Sequence, residues 1–321
     1  MRELIVGSRG SPLALAQTRE ILEQLKNRFP QLSCRIQVIH TTADKRQDVP
    51  LSHMGQSGVF VKEIEHALLK GSIDFAVHSA KDLPSEMVQE LCIAAYPVRL
   101  NPADVLVSRV GPLSAAPAGS RVGTSSVRRR ALLLAFRRDL VPLSVRGNLD
   151  TRIKKLNRDD CDALVLAYAG LARLGLTSFV TEILDPNVWL PAVGQGAVAV
   201  QCRADDDIRH LIAELDDSAT RACVTAERAF LKVLRAGCLA PVGALAAVHG
   251  STLRLDGLIA ALDGSRVFRY SEVGSLFDPE SLGARLAERF LASPAADLLH
   301  ESSGKSMLSK NGREDLSRRD N

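Results

Sequence analysis

Three short stretches of this 321-residue chain place arginines where a strand-like run turns into a helix. They are Arg9-Gly10-Ser11-Pro12, Gly123-Thr-Ser-Ser-Val-Arg128-Arg129-Arg130, and Arg146-Gly147-Asn148 with Arg152 one turn further on. A helix N-terminus offers unpaired N–H groups and the positive end of the dipole. Guanidinium groups beside it grip carboxylates with two parallel hydrogen bonds. Open α/β folds bind ligands at the carboxyl ends of their strands, so Arg9, Arg128, Arg129, Arg146 and Arg152 are candidates to hold an anion. Arg130, Arg137 and Arg138 read instead as a solvated helix face, and Ser11 reads first as a helix cap. No GxxxxGKS or GxxxxGKT motif occurs, which excludes a P-loop.

A second kind of chemistry is offered by His78-Ser79-Ala80-Lys81-Asp82-Leu83-Pro84, where a lysine adjoins a carboxylate after a strand. An aspartate in an arginine-rich crevice stays ionised, because nearby cations lower its pKa. It can then stabilise a developing cation or accept a hydrogen bond from a ring N–H. As a bare pattern, surface ion pairing explains Lys81 and Asp82 equally well, and His78 reads as a structural histidine rather than a base. Cys238 sits in Ala236-Gly-Cys-Leu-Ala-Pro-Val-Gly, a run of small residues with room for a bulky group on sulfur. Taken alone, that pattern is also an ordinary loop cysteine. No Ser/His/Asp or Cys/His nucleophile arrangement stands out.

The charge distribution supports an anionic ligand. Net charge is +4, yet residues 121–155 hold ten Arg or Lys against two Asp, so the rest of the chain is net acidic. A polyanion, or a substrate with several carboxylates or phosphates, is the expected partner. Aromatic residues are only 4% of the chain, too few for base-stacking platforms, and the near-neutral remainder also opposes a nucleic-acid binder. Apolar content of 46% with 24% charged residues is that of a globular protein. The longest apolar runs are about half the roughly 20 residues a membrane span needs, and no apolar leader is visible, so the chain reads as cytoplasmic. Six separated cysteines with no CxxC pair argue against zinc or a disulfide frame, and five of them read as small buried hydrophobes.

These residues must be carried by an α/β frame. Strands are expected at 3–8, 33–41 and 73–78, with helices after Ser11-Pro12 and around Phe60, Ile64 and Leu68; this alternation implies a parallel sheet. Residues 42–57 read as a mobile loop. After Pro97 to Pro102 a second unit is expected, with strands at 120–123, 140–145 and 162–167 and helices at 125–137 and 148–156. Leu190-Pro-Ala-Val-Gly-Gln-Gly reads as a second hinge, after which 197–201 returns to the first sheet. A small α+β unit follows, with a helix at 220–234, strands at 242–249, 253–261 and 267–273, and a helix at 279–291. The domains are therefore expected as 1–98 with 195–217, 99–194 and 218–297, with a disordered tail at 298–321.

Taken together, SRGSPLAL (8–15), GVFVKEIE (58–65), DFAVHSAKDLP (74–84), VGTSSVRRR (122–130), VRGNLDTR (145–152), LAYAGLARLGL (166–176), LPAVGQGA (190–197), TAERAFL (225–231) and AGCLAPVG (236–243) resemble the porphobilinogen deaminase, or hydroxymethylbilane synthase, family over about residues 3–295. The resemblance implies an α/β fold of three domains: two lobes like those of type II periplasmic binding proteins and a small α+β domain. It implies that Cys238 holds a dipyrromethane cofactor through a thioether. Four porphobilinogen units would be added to that cofactor with loss of ammonia, and hydrolysis would release linear 1-hydroxymethylbilane.

By resemblance, Asp82 is the catalytic residue that stabilises the electrophilic azafulvene through the pyrrole N–H. Lys81, Ser11, Arg128, Arg129 and Arg146 would hold the cofactor. Arg9, Arg146, Arg152 and Arg173 would hold substrate carboxylates, and Phe60 would pack over the pyrroles. No metal and no nucleotide are implied, and a monomer is. Ser57 and His53 stand at or near positions where family members commonly have lysine, which sets the 42–57 loop apart from the pattern. The reading from another class is a non-catalytic, two-lobed binder of an anionic small molecule.

Overall fold

The structure is a computed structural model in which residues 3–41, 61–236, 240–299 and 301 are described. Along the chain, β1 (Leu4–Arg9), α1 (Pro12–Arg28), β2 (Cys34–Ile39), α2 (Lys62–Leu69), β3 (Phe75–Ser79) and β4 (Leu91–Ala95) come first. Next are β5 (Asp104–Ser108), β6 (Arg121–Gly123), α3 (Val127–Phe136), β7 (Val141–Leu143), α4 (Leu149–Asn157), β8 (Ala163–Ala167), α5 (Tyr168–Arg173) and β9 (Glu182–Ile183). The remainder is β10 (Val198–Arg203), α6 (Ile208–Ala213), α7 (Ser218–Val233), β11 (Val242–His249), β12 (Thr252–Ala260), β13 (Val267–Ser275) and α8 (Pro279–Leu291).

Among the described residues the first sheet runs β2-β1-β3-β10-β4 and the second β7-β6-β8-β5-β9. The two share one plan. In the first lobe β1 pairs in parallel with β2 and β3, while β10 is antiparallel to β3 and β4. In the second, β6 pairs in parallel with β7 and β8, while β5 is antiparallel to β8 and β9. The expected parallel sheet is thus corrected to a mixed one. The physical reason is the route of the chain: β5 and β10 each arrive from the other lobe and not through a helical crossover, so nothing forces them parallel.

Local chemistry accounts for the elements that carry the site. Ser11 caps α1, its Oγ accepting from the Ala14 N–H at 3.2 Å, and Pro12 occupies the first turn. Ile21 and Leu25 on α1 are fully buried against Val6 and Phe75 of the sheet. Ser126 caps α3 in the same way, accepting from the Arg129 N–H. The third unit is the antiparallel sheet β11-β12-β13 covered by α7 and α8, with Phe230 and Phe290 packed ring to ring at 5.5 Å. Leu258 and Ala260 of this sheet also join the core around α3 in the second lobe. At the β12–β13 turn, Gly264 has φ +71° and lies so close to the backbone of Leu134 and Ala135 that a Cβ would not fit.

The three units meet at Glu227 of α7, whose side chain is fully buried. Its carboxylate accepts from Arg99 Nη1 at 2.6 Å and Nη2 at 3.1 Å, from the Gly194 N–H at 2.7 Å and from the Ala246 N–H at 2.9 Å. Arg99 lies on the first crossover between lobes and Gly194 on the second, so one carboxylate joins both crossovers to the third unit. No helix among the described residues is long and apolar enough to cross a membrane. Of the cysteines read as buried, Cys161, Cys202 and Cys223 are, whereas Cys34 and Cys92 are partly exposed. Both pack against the core of the first lobe.

Candidate active site between the lobes

A cavity of about 360 Å³ lies between the lobes, where the carboxyl ends of β1, β3 and β8 face each other. Among the described residues its wall carries six cations, Arg9, Lys81, Arg129, Arg146, Arg152 and Arg173, against two carboxylates, Asp82 and Asp150. A smaller space of about 60 Å³ shares Arg9, Ser11 and Asp82 with it. Of the residues singled out in the sequence, Arg9, Ser11, Lys81, Asp82, Arg129, Arg146, Arg152 and Arg173 come together here. Phe60, Cys238 and the loop 42–57 lie outside the described residues, as does the tail from 302.

Lys81 and Asp82 sit on the 3-10 turn Ala80–Asp82 that ends β3. Lys81 Nζ donates to Gln195 Oε1 at 3.4 Å. Burial pushes the Lys81 ammonium down to about 8, helped by the Arg129 charge and opposed by Asp82 and Asp104. His78, buried on β3, is pushed down to about 4 by burial, which Gln201 opposes and the Arg9 charge furthers. A histidine held in its neutral form by burial fits the structural reading rather than that of a base. Arg152 is held down to about 10 by burial and by its neighbours Arg129 and Arg146, while its Nε donates to the Gly147 carbonyl at 2.9 Å.

Arg128 and Arg129 part company. Arg129 reaches the cavity wall, with Nε and Nη2 donating to Asp104 Oδ1 at 3.1 and 2.7 Å and Nη1 to the Val165 carbonyl at 3.0 Å. Arg128, expected to grip a ligand, turns inward: Nη2 pairs with Asp104 Oδ2 at 2.8 Å and Nη1 donates to the Leu190 carbonyl at 2.6 Å. It is not part of the cavity wall. Position within one helical turn decides this, since adjacent residues on α3 point in directions about 100° apart. Arg173 also has protein partners, Nε donating to Glu20 Oε2 at 2.7 Å.

Sequence reasoning missed Asp104, Trp189 and Gln195. Asp104 is fully buried and also accepts from Trp189 Nε1 at 3.0 Å and Gln195 Nε2 at 2.7 Å. Arg128 and Arg129 hold its carboxyl far below the usual carboxylate range, despite the opposing cost of burial. The available signal was an acid opening the apolar strand DVLVS two residues after Pro102. Such an acid is tolerated inside only when it is paired.

Fold and site together define a two-lobed α/β protein built around a cleft for a multiply charged anion. Two family models match in order: "Porphobilinogen deaminase, dipyromethane cofactor binding domain" over residues 4–210 and "Porphobilinogen deaminase, C-terminal domain" over residues 221–292. The chain belongs to the porphobilinogen deaminase family. A porphobilinogen deaminase from Roseiflexus castenholzii is 49% identical over 298 residues, covering 92% of this chain and 98% of that one. One from Desulforudis audaxviator is 47% identical, covering 93% and 97%. Among solved structures, a TRAP periplasmic solute binding protein from Desulfovibrio salexigens overlays with a TM-score of 0.42 at 10% identity, over 67% of this chain and 72% of that chain. The family and its cofactor-binding domain favour the enzyme over the non-catalytic anion binder.

Proposed function

We propose that the chain joins four porphobilinogen units, each with loss of ammonia, to a dipyrromethane carried on Cys238, and then releases 1-hydroxymethylbilane by hydrolysis. The observation that carries this reading is the cavity wall of six cations around Asp82 in a chain of this family. The fit to the cofactor rests on donor chemistry. Each pyrrole bears an acetate and a propionate, so two pyrroles present four carboxylates, and the wall supplies cations in excess of that number. A volume of about 360 Å³ is within the usual range for small-molecule sites, roughly 300–1,000 Å³.

When bound, dipyrromethane supplies the unsubstituted pyrrole carbon at which chain growth takes place. The residues Lys81, Ser11, Arg129 and Arg146 are assigned to its carboxylates, and Arg128 acts through Asp104 to fix Arg129. Arg9, Arg146, Arg152 and Arg173 hold carboxylates of incoming and attached units, with Phe60 packed over the rings. Asp82 accepts a hydrogen bond from the substrate pyrrole N–H and stabilises the positive charge that develops as ammonia departs. Chain growth makes the ligand a denser polyanion at each step, and the arginines on both lobes supply matching charge.

The enzyme is read as a cytoplasmic, monomeric transferase with no nucleic-acid or membrane partner, divided as 1–98 with 195–217, 99–194 and 218–297. The decisive experiment is the intact mass of purified protein beside a Cys238→Ala variant, each corrected to its own sequence mass, before and after incubation with porphobilinogen. An excess of one dipyrromethane in the wild type, absent from the variant, is the expected result. No adduct even after incubation overturns the assignment.

A further inference from the structure

Arg173 closes α5 in the second lobe, and Glu20 lies on α1 in the first. Besides the 2.7 Å bond from its Nε to Glu20 Oε2, Arg173 Nη1 donates to the Gly196 carbonyl at 3.3 Å on the second crossover. The Arg173 side chain is only 6% exposed, whereas that of Glu20 is 35% exposed and does not line the cavity. Among the described residues two of the five guanidinium N–H donors go to protein acceptors, and the side chain lines the cavity. The same two helices also approach at Gly170, where a Cβ would touch the Leu13 side chain at 3.6 Å. The ion pair therefore forms only while α1 and α5 lie side by side.

We propose that Glu20 is a positioning residue for carboxylate binding. It fixes the Arg173 guanidinium at the cavity wall and makes presentation of that cation conditional on the closed arrangement of the lobes. An arginine without such an anchor samples many rotamers, and a ligand must then spend binding energy to order it. A carboxylate that reaches Arg173 stabilises the arrangement in which Glu20 also touches it. The inference rests on the porphobilinogen reading above, and its test separates the two.

Glu20→Gln and Glu20→Ala, each loaded with cofactor, are compared with wild type in steady-state turnover of porphobilinogen. The intact mass of the covalent enzyme species formed with a few equivalents of substrate is recorded in parallel. KM is expected to rise about three- to tenfold while kcat changes by less than about twofold, the pattern of lost binding rather than lost chemistry. Glu20→Gln is expected to show the smaller change, because its amide oxygen still accepts from Nε, and in both variants the mass distribution should shift toward shorter attached chains. Cofactor mass and melting temperature should match wild type; if Glu20→Ala folds poorly, the nearly isosteric Glu20→Gln decides alone. Unchanged KM with an unchanged mass distribution overturns the proposal, and so does a fall in kcat at constant KM. Lack of turnover by the wild type would instead strike the porphobilinogen reading itself.

Discussion

Asp104 lies behind Arg129, and a single oxygen, Oδ1, takes both the Nε and the Nη2 hydrogens of that guanidinium, at 3.1 and 2.7 Å. The other oxygen serves Arg128 at 2.8 Å and Trp189 at 3.0 Å. Two buried arginines share one buried carboxylate, so the group keeps a net positive charge, directed at the cavity through Arg129. Such a charge is expensive to bury, and the strand ends and carbonyls that hold it exist to hold it in one place.

Replacing Asp104 leaves both arginines uncompensated. Asp104→Asn should lower unfolding free energy by about 3–5 kcal/mol, the usual effect of removing one partner from a buried ion pair. Denaturant titration at pH 7 measures it, and a midpoint equal to wild type would contradict the pairing. The sign with pH follows from the depressed carboxyl: the stabilisation is complete above the unfolded value of about 4 and is lost as pH falls below it. Wild type should therefore lose its advantage over Asp104→Asn in acid.

Lys81 gives the opposite limb. Its ammonium is pushed from 10.5 down to about 8, so it loses its charge as pH rises through 8. Its hold on the cofactor carboxylates should weaken there, with turnover of porphobilinogen falling between about pH 7.5 and 9. In Lys81→Arg that limb should vanish, whatever the absolute rate. For stability, the unfolded chain binds the extra proton between about 8 and 10.5, so this group's unfavourable contribution at neutral pH lessens as pH rises across that window. A pH–rate profile with the same limb in both proteins would assign it to another group.

Arg146→Ala removes a cation from the cavity wall. Turnover should fall by at least tenfold, the scale of one lost charge-assisted hydrogen bond of about 1.5–3 kcal/mol. Cofactor loading, read by intact mass, tells which pyrroles it serves. Normal turnover with normal loading would remove Arg146 from the carboxylate set.

Gly196 has φ +89° on the second crossover, and an added Cβ would fall on the carbonyl oxygen of Leu100 in the first. Gly196→Ala should cost about 1–3 kcal/mol from backbone strain and force the crossovers apart. Because Gly196 also lines the cavity and accepts from Arg173, KM should rise as well. Equilibrium unfolding together with kinetics checks both, and a fully stable variant with wild-type KM would show that the crossovers accommodate the methyl group.

Much of this was legible in the chain itself. The helix cap at Ser11, apolar runs such as ALVLA and the Pro279 start of α8 are local signals, and the elements they mark fall within two or three residues of expectation. Strand direction was not legible, because whether β5 and β10 run with or against their neighbours depends on which lobe the chain comes from. The arginine clusters were visible, but their division was not. Arg128 and Arg129 are identical neighbours in sequence and both pair with Asp104, so their division depends on how α3 is rotated against the second sheet, which sends one inward and leaves the other at the wall. Glu20 gave no signal at all, since its partner lies 153 residues along the chain in the opposite lobe.

The exchange of strands between lobes orders events on the ribosome. The second sheet draws all of its strands from residues 104–183, a continuous stretch, whereas β4 of the first sheet pairs only with β10 and must wait until residue 203 has been made. The unit whose synthesis starts first is thus completed second, against the usual N-terminal-first sequence of folding. Until then β3 and β4 have exposed edges, and the nascent chain needs protection from strand-to-strand association during that interval.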